Sequence, residues 1–146
     1  MKITSGTWIM ALDGRKMVLL RNEGDTQKPI LRTILQDEAE NPRSSEQGTD
    51  KPGRTFSSAS PRRSSLNETD WHDEAKKDFA RSAMRLLEQE HQREGGDVIL
   101  FAAPAVLGNL RKHCPDKVRS AIIAEIDKDV VNHAPEQIAA IIAAVE

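Results

Sequence analysis

The feature that most constrains the fold is the segment from Glu38 to Asp70, which separates two stretches of different apolar periodicity. Its 33 residues include seven Ser and the prolines at 42, 52 and 61, while Phe56 and Leu66 are its only large apolar side chains. Such a composition buries too little surface to form a core. The segment must therefore be carried by its flanks, either as an ordered functional loop or as a polar insertion. Its charges are sorted. Lys51, Arg54, Arg62 and Arg63 lie in a run without any acid from Lys51 through Asn67, closed by Asp50 on one side and Glu68 and Asp70 on the other. A basic, Gly/Ser/Pro-rich tip on a folded frame predicts a contact surface for phosphate, RNA or an acidic protein. The competing expectation is that Arg54, Arg62 and Arg63 pair with Glu38, Glu40 or Glu46 and fold the segment onto its own frame.

Before the segment the pattern is that of strands. Thr7-Trp8-Ile9-Met10-Ala11-Leu12 and Lys16-Met17-Val18-Leu19-Leu20-Arg21 flank Asp13-Gly14-Arg15 and predict a hairpin. Asn22-Glu23-Gly24-Asp25 is a second turn, and Ile30 to Leu35 a third strand. After the segment, Trp71, Ala75, Phe79, Ala83, Leu86 and Leu87 form a helical stripe. It predicts a helix from Asp70 to Glu94, capped by Thr69 or Asp70 and stopped by Gly95-Gly96. Asp97 to Ala103 does not alternate and reads as a strand buried on both faces. Ala105 to Lys112 predicts a short helix behind Pro104, Pro115 to Ser120 a further helical turn, and Ala121 to Ile126 a strand. A terminal helix opens at Pro135. The resulting fold class is α/β in one domain spanning 1–146, with a long polar and basic loop at 38–70. Its order is βββ-loop-αβαβα, a mixed sheet with covering helices in a ribonuclease-H-like arrangement.

Composition narrows the function classes. The formal net charge is −2, from 21 Lys plus Arg against 23 Asp plus Glu, so a nucleic-acid surface would have to be local. Aromatic side chains are scarce and Tyr is absent, which disfavours a stacking platform for single strands. The single cysteine, Cys114, excludes a disulfide framework and a thiolate-rich zinc site, and is expected to be a partly buried thiol. Neither a secretory stretch at Met1 to Gly6 nor a membrane-length apolar window is present. The expectation is a cytoplasmic monomer or homodimer without a cofactor or membrane insertion.

Four sequence blocks carry a family resemblance: Thr7 to Gly14, Asn22 to Asp25, Gly48-Thr49-Asp50-Lys51-Pro52-Gly53-Arg54-Thr55-Phe56, and Glu125-Ile126-Asp127-Lys128-Asp129. Together they resemble the host-attachment protein family, which is similar in turn to the middle domain of archaeal and eukaryotic peptide release factors. The resemblance implies a release-factor-middle-domain-like fold. In that domain a loop bearing Gly-Gly-Gln sits between the third strand and a long helix and enters the ribosomal peptidyl-transferase centre. Here the equivalent place holds Gly53 through Ser65, and Gly-Gly-Gln occurs nowhere in the chain. The resemblance thus implies a ribosome-facing or RNA-facing module that lacks the release chemistry.

The site expected from these residues comprises Lys51, Arg54, Thr55, Arg62, Arg63 and Ser64, contacting RNA or a protein partner. Arginine forks can hold phosphate bidentately, Lys51 adds a mobile charge, and Thr55 and Ser64 add neutral donors. A regulatory or protein-interaction role in attachment to host cells is the alternative. A third reading is a metal-dependent phosphoester hydrolase. On an extended strand Asp127 and Asp129 would share one face, with Glu125 in the same period and Asp13 approaching from the first strand. Solvated residues at a strand end account for the same spacing more simply. The histidines His72, His91, His113 and His133 form no ligand pair, and no nucleophile or phosphate-loop motif is present.

Overall fold

Strand β1 (Trp8–Leu12) is buried at all five positions, which requires cover on both faces of whatever sheet it joins. The computed structural model describes residues 1–39 and 64–145, with the backbone alone for 64–73. In it β1 is followed by β2 (Lys16–Asn22), β3 (Leu31–Glu38), α1 (Ser64–Glu94), β4 (Val98–Phe101), α2 (Pro104–Lys112), α3 (Asp116–Ala121), β5 (Ile122–Ile126) and α4 (Pro135–Ala144). The strands form one mixed sheet in the order β3-β2-β1-β4-β5. The first three make an antiparallel meander, while β4 and β5 run parallel to β1.

Alternation along β1 and β4 distributes the core. Trp8, Met10, Leu12, Val98 and Leu100 face a helical layer contributed by Phe79, Ala83, Met84 and Leu87 of α1, Leu107 and Leu110 of α2, and Val118 of α3. Ile9, Ala11, Ile99 and Phe101 point the opposite way, onto Val130, Val131 and α4 residues Ile138 and Ile142. Helices on both faces explain why the β4 run is apolar without a break. Helix α1 ends at Gly95 (φ 66°) and Gly96 (φ 110°). A Cβ on Gly96 would lie 2.5 Å from the Gly6 carbonyl oxygen, so the close passage of these two backbone segments requires glycine there.

Several expected boundaries move. Helix α1 begins at Ser64, six residues before the expected start, and β3 extends through Glu38. The polar segment is correspondingly shorter than 38–70, and Thr69 and Asp70 lie inside the helix instead of capping it. Ser64 to Asp70 contains neither proline nor glycine, but its lack of an apolar stripe conceals the extra turns from a periodicity reading. The crossover from β4 to β5 carries α2 and α3 where the short helix and the further helical turn were expected. At β5 the ladder slips: Val98 pairs with Ile122 and Ile99 with Ala124, leaving Ile123 as an extra residue, 45% exposed. This bulge blunts the sheet edge, and Ala121, expected in the strand, closes α3 instead.

The β2 to β3 connection is organised by Asn22, 1% exposed. Its amide nitrogen donates to the Thr4 carbonyl (3.0 Å) and more distantly to that of Ile3 (3.4 Å), while its side-chain oxygen accepts from the N–H groups of Gly24 and Ile30, both at 2.9 Å. One side chain thus satisfies four backbone groups. Thr7, also fully buried, donates its hydroxyl to the Thr4 carbonyl at 2.8 Å.

Candidate functional site

Because β1, β4 and β5 are parallel, their carboxyl ends share one edge of the sheet. The acids proposed for a metal site lie there but do not converge. Ala11, Phe101 and Ile126 are in register across the three strands. Asp13 and Asp127 therefore follow strands separated by two inter-strand spacings, about 10 Å. Strand β5 ends at Ile126, so Asp127 and Asp129 lie beyond it. The Lys128 N–H turns back to the Ile126 carbonyl at 2.9 Å, so the chain bends at Asp127 instead of continuing the strand that would set both carboxylates on one face.

Each neighbouring acid also has local partners. Asp13 Oδ1 accepts from the backbone N–H groups of Arg15 and Lys16, both at 2.7 Å, closing the β1–β2 turn. Asp129 Oδ1 accepts from Val131 N–H at 3.3 Å. Glu125 takes two bonds from the Arg111 guanidinium, at 2.9 Å from Nε and 2.5 Å from Nη2, and this hydrogen-bonded carboxylate raises the Arg111 pKa. Among the described residues no group of three or more His, Cys, Asp or Glu could hold a metal ion.

The basic segment is rooted at this same edge. Ala39 N–H, just beyond β3, donates to the Arg15 carbonyl at 2.6 Å, tying the departing chain to the β1–β2 turn. Helix α1 returns antiparallel to β1. Near its carboxyl end the Trp8 indole donates to the Gly95 carbonyl at 2.8 Å, and Arg21 pairs with Glu94 at 3.2 Å. Toward its amino end the Lys76 stem lies over Gly14, where a Cβ would stand 3.3 Å from the lysine Cγ and Cε. The backbone from Ser64 to Lys76 then runs on past that turn for about 18 Å, at 1.5 Å per residue. Lys51, Arg54, Thr55, Arg62 and Arg63 lie outside the described residues. Ser64 is the first residue of α1, its side chain outside the described set. The pairing of Arg54, Arg62 and Arg63 with Glu38, Glu40 or Glu46 likewise lies outside it, because all three arginines do. Arg15, Lys16, Lys76 and Lys77 are exposed at this end of the sheet, and sequence reasoning passed over them. The signal available was the Asp13-Gly14-Arg15-Lys16 turn itself.

A second concavity lies on the α4 face. A cleft of about 540 Å³ is bounded by Lys16, Met17, Val18, Leu20, Thr33, Gln36, Asp37 and Glu38 on β2 and β3, together with Val131, Asn132, His133 and Pro135; Asp37 pairs with Met17, whose side chain belongs to the α1-side core. Lys16 Nζ crosses it to Asn132 Oδ1 at 3.3 Å. No short motif announces it, because its walls come from residues about a hundred positions apart.

Cys114 is 8% exposed and its thiol faces the Pro115 carbonyl at 3.7 Å. Burial raises its pKa, with the Arg119 guanidinium acting in the opposite direction. A raised folded-state pKa means that the native protein holds the thiol proton more tightly than the unfolded chain. The associated stability is therefore intact below the ordinary thiol pKa and declines as pH rises through the raised value. Alkylation by iodoacetamide near pH 8 is expected to be at least about tenfold slower in native protein than in urea, and equal rates would contradict this burial. Among the histidines, a ring nitrogen of His91 lies 2.9 Å from the Gly96 carbonyl at the end of α1, and His133 lines the cleft.

Among the described residues no helix is long and apolar enough to cross a membrane. No match is found among curated proteins. The family model described as bacterial archaeo-eukaryotic release factor family 12 matches residues 6–142, from the approach to β1 to the last turn of α4. That family is a bacterial relative of the release-factor middle domain and agrees with the host-attachment resemblance read from the sequence. On a match of this extent, over a mixed sheet flanked by helices, the chain belongs to the bacterial archaeo-eukaryotic release factor family 12.

Proposed function

We propose that the chain is a non-catalytic module that binds RNA, with the ribosome as its principal target in the cytoplasm, through the segment between β3 and α1. The observation that carries this reading is the rooting of that segment. It leaves β3 tied to the β1–β2 turn and rejoins the fold through a helix that runs on past that turn. A middle domain of the release-factor type uses the same position, between third strand and long helix, to reach the ribosome. The strand order β3-β2-β1-β4-β5 supports the ribonuclease-H-like reading of the scaffold. The segment's Lys51, Arg54, Arg62 and Arg63 supply phosphate-binding charge, with Thr55 and Ser64 as neutral donors. With Gly-Gly-Gln missing from the sequence, the module binds without release chemistry.

Sedimentation with purified ribosomes and anisotropy with labelled ribosomal RNA fragments test the proposal. Reversing Arg54, Arg62 and Arg63 together to Glu is expected to weaken binding by about a hundredfold and to flatten the dependence of log K on log salt by about 2 to 3 units, as the loss of three phosphate contacts predicts. Wild-type binding that survives the triple reversal unchanged would reject this interface.

A further inference from the structure

The cleft on the α4 face has a polarity gradient set by strand register. Three cross-strand pairs form its floor: Leu20 opposite Thr33, Val18 opposite Gln36, and Lys16 opposite Glu38. Along β2 these positions lie about 7 Å apart, with β3 taking up one extra residue at a bulge between Thr33 and Leu35, so the floor passes from apolar to charged over about 14 Å. Val131 and Pro135 extend the apolar wall, and Asn132 and His133 the polar one. At the charged end, opposite signs sit directly across the ladder, a placement that ordinarily favours pairing. Yet Lys16 and Glu38 form no ion pair with each other. Lys16 Nζ instead donates to Asn132 Oδ1, which leaves donor capacity on the ammonium for a further acceptor.

We propose that this cleft binds a small zwitterion with an apolar body, the chemistry shared by apolar α-amino acids and short apolar peptides. The ligand carboxylate meets Lys16, its ammonium meets Glu38, and its apolar body lies over Val18 and Leu20 against Val131. The volume of about 540 Å³ suits a ligand of this size. Leu20 is already 1% exposed, so the floor offers little new apolar surface and affinity lies in the millimolar to high micromolar range. Discrimination rests on the charge pair. Deleting either ligand charge removes one charge-assisted hydrogen bond, to Lys16 or to Glu38. This inference is independent of the RNA-binding proposal, since the cleft lies on the face opposite α1.

Calorimetric titration of the full chain with leucine, leucyl-leucine, leucinamide and 4-methylpentanoate tests it. At least one of the two zwitterions is expected to bind, with leucinamide and 4-methylpentanoate each at least about tenfold weaker. Lys16→Gln should erase the discrimination against leucinamide, and Glu38→Gln that against 4-methylpentanoate. Both residues are exposed, so the fold is expected to survive, with circular dichroism as the check. The ratio between leucine and leucyl-leucine identifies the ligand source. If neither zwitterion binds wild-type protein at millimolar concentration, or if the truncated ligands bind as well as the zwitterions, the assignment is overturned.

Discussion

Trp8→Ala is expected to lower the unfolding free energy by about 3 to 5 kcal/mol, the largest loss from any single side chain discussed. Trp8 is 1% exposed and starts the central strand β1, between β2 and β4. Three contacts end on its ring. It packs in the α1-side core with Leu87 and Val98, its N–H caps the Gly95 carbonyl at 2.8 Å, and the Arg21 guanidinium lies 4.8 Å above its centroid. Alanine removes the ring volume, frees the Gly95 carbonyl and deprives Arg21 of its platform at once. For a domain of this size the loss corresponds to a fall in Tm of about 10 to 15 °C. Trp8→Phe retains most of the volume but not the indole N–H, and should cost about 1 to 2 kcal/mol. Urea titrations followed by circular dichroism measure both, and a loss below about 1 kcal/mol for Trp8→Ala would mean that the Trp8–Gly95 link does not hold α1 to the sheet.

Asn22→Asp tests the other buried polar hub, and its expected effect depends on pH. The asparagine oxygen accepts two backbone N–H groups, while its nitrogen faces the carbonyls of Ile3 and Thr4. An ionised carboxylate would keep the first pair of bonds and set negative charge against the two carbonyls. The protonated acid can still donate to Thr4. Burial and the facing carbonyls therefore raise the carboxyl pKa in the folded state above the unfolded value of about 3.9. A folded pKa raised in this way leaves the variant near wild-type stability in acid. Stability is then lost as pH rises above about 4 toward the raised value. At pH 7 the expected loss is about 3 kcal/mol, shrinking to about 1 kcal/mol at pH 4. A difference from wild type that stays constant between these two pH values would show that the hub tolerates charge.

Most of the element order was legible because its signals are local. The apolar run through Trp8 to Leu12, the Asp13-Gly14 turn and the Gly95-Gly96 stop each act over a few residues, and the structure places a strand, a turn and a helix end there. The start of α1 was misplaced because Ser64 to Asp70 lacks the apolar stripe on which periodicity depends. The hydrolase reading of Asp127 and Asp129 assumed a strand running through both, whereas β5 ends at Ile126, three residues short of Asp129. No periodicity argument shows that Asp13 serves its own turn or that Glu125 faces Arg111, since those partners are chosen by packing. The cleft went unseen for a similar reason. Lys16, Glu38 and His133 line one cleft only after β3 has paired with β2 and the chain beyond β5 has folded over their face.

Side-chain order along the chain is enough to specify a meander followed by alternating helices and strands, with one basic segment too polar to be core. Those properties depend on side-chain periodicity and composition, which are settled within a few residues of each position. The strand order, the separation of the carboxylates along the parallel edge, and the meeting of Lys16 with Asn132 across the cleft arise only on packing. Such outcomes depend on which distant surfaces bury each other. They are fixed by the joint burial of Trp8, Met10 and Leu12 on one face and Ile9 and Ala11 on the other, a condition that only the assembled layers satisfy.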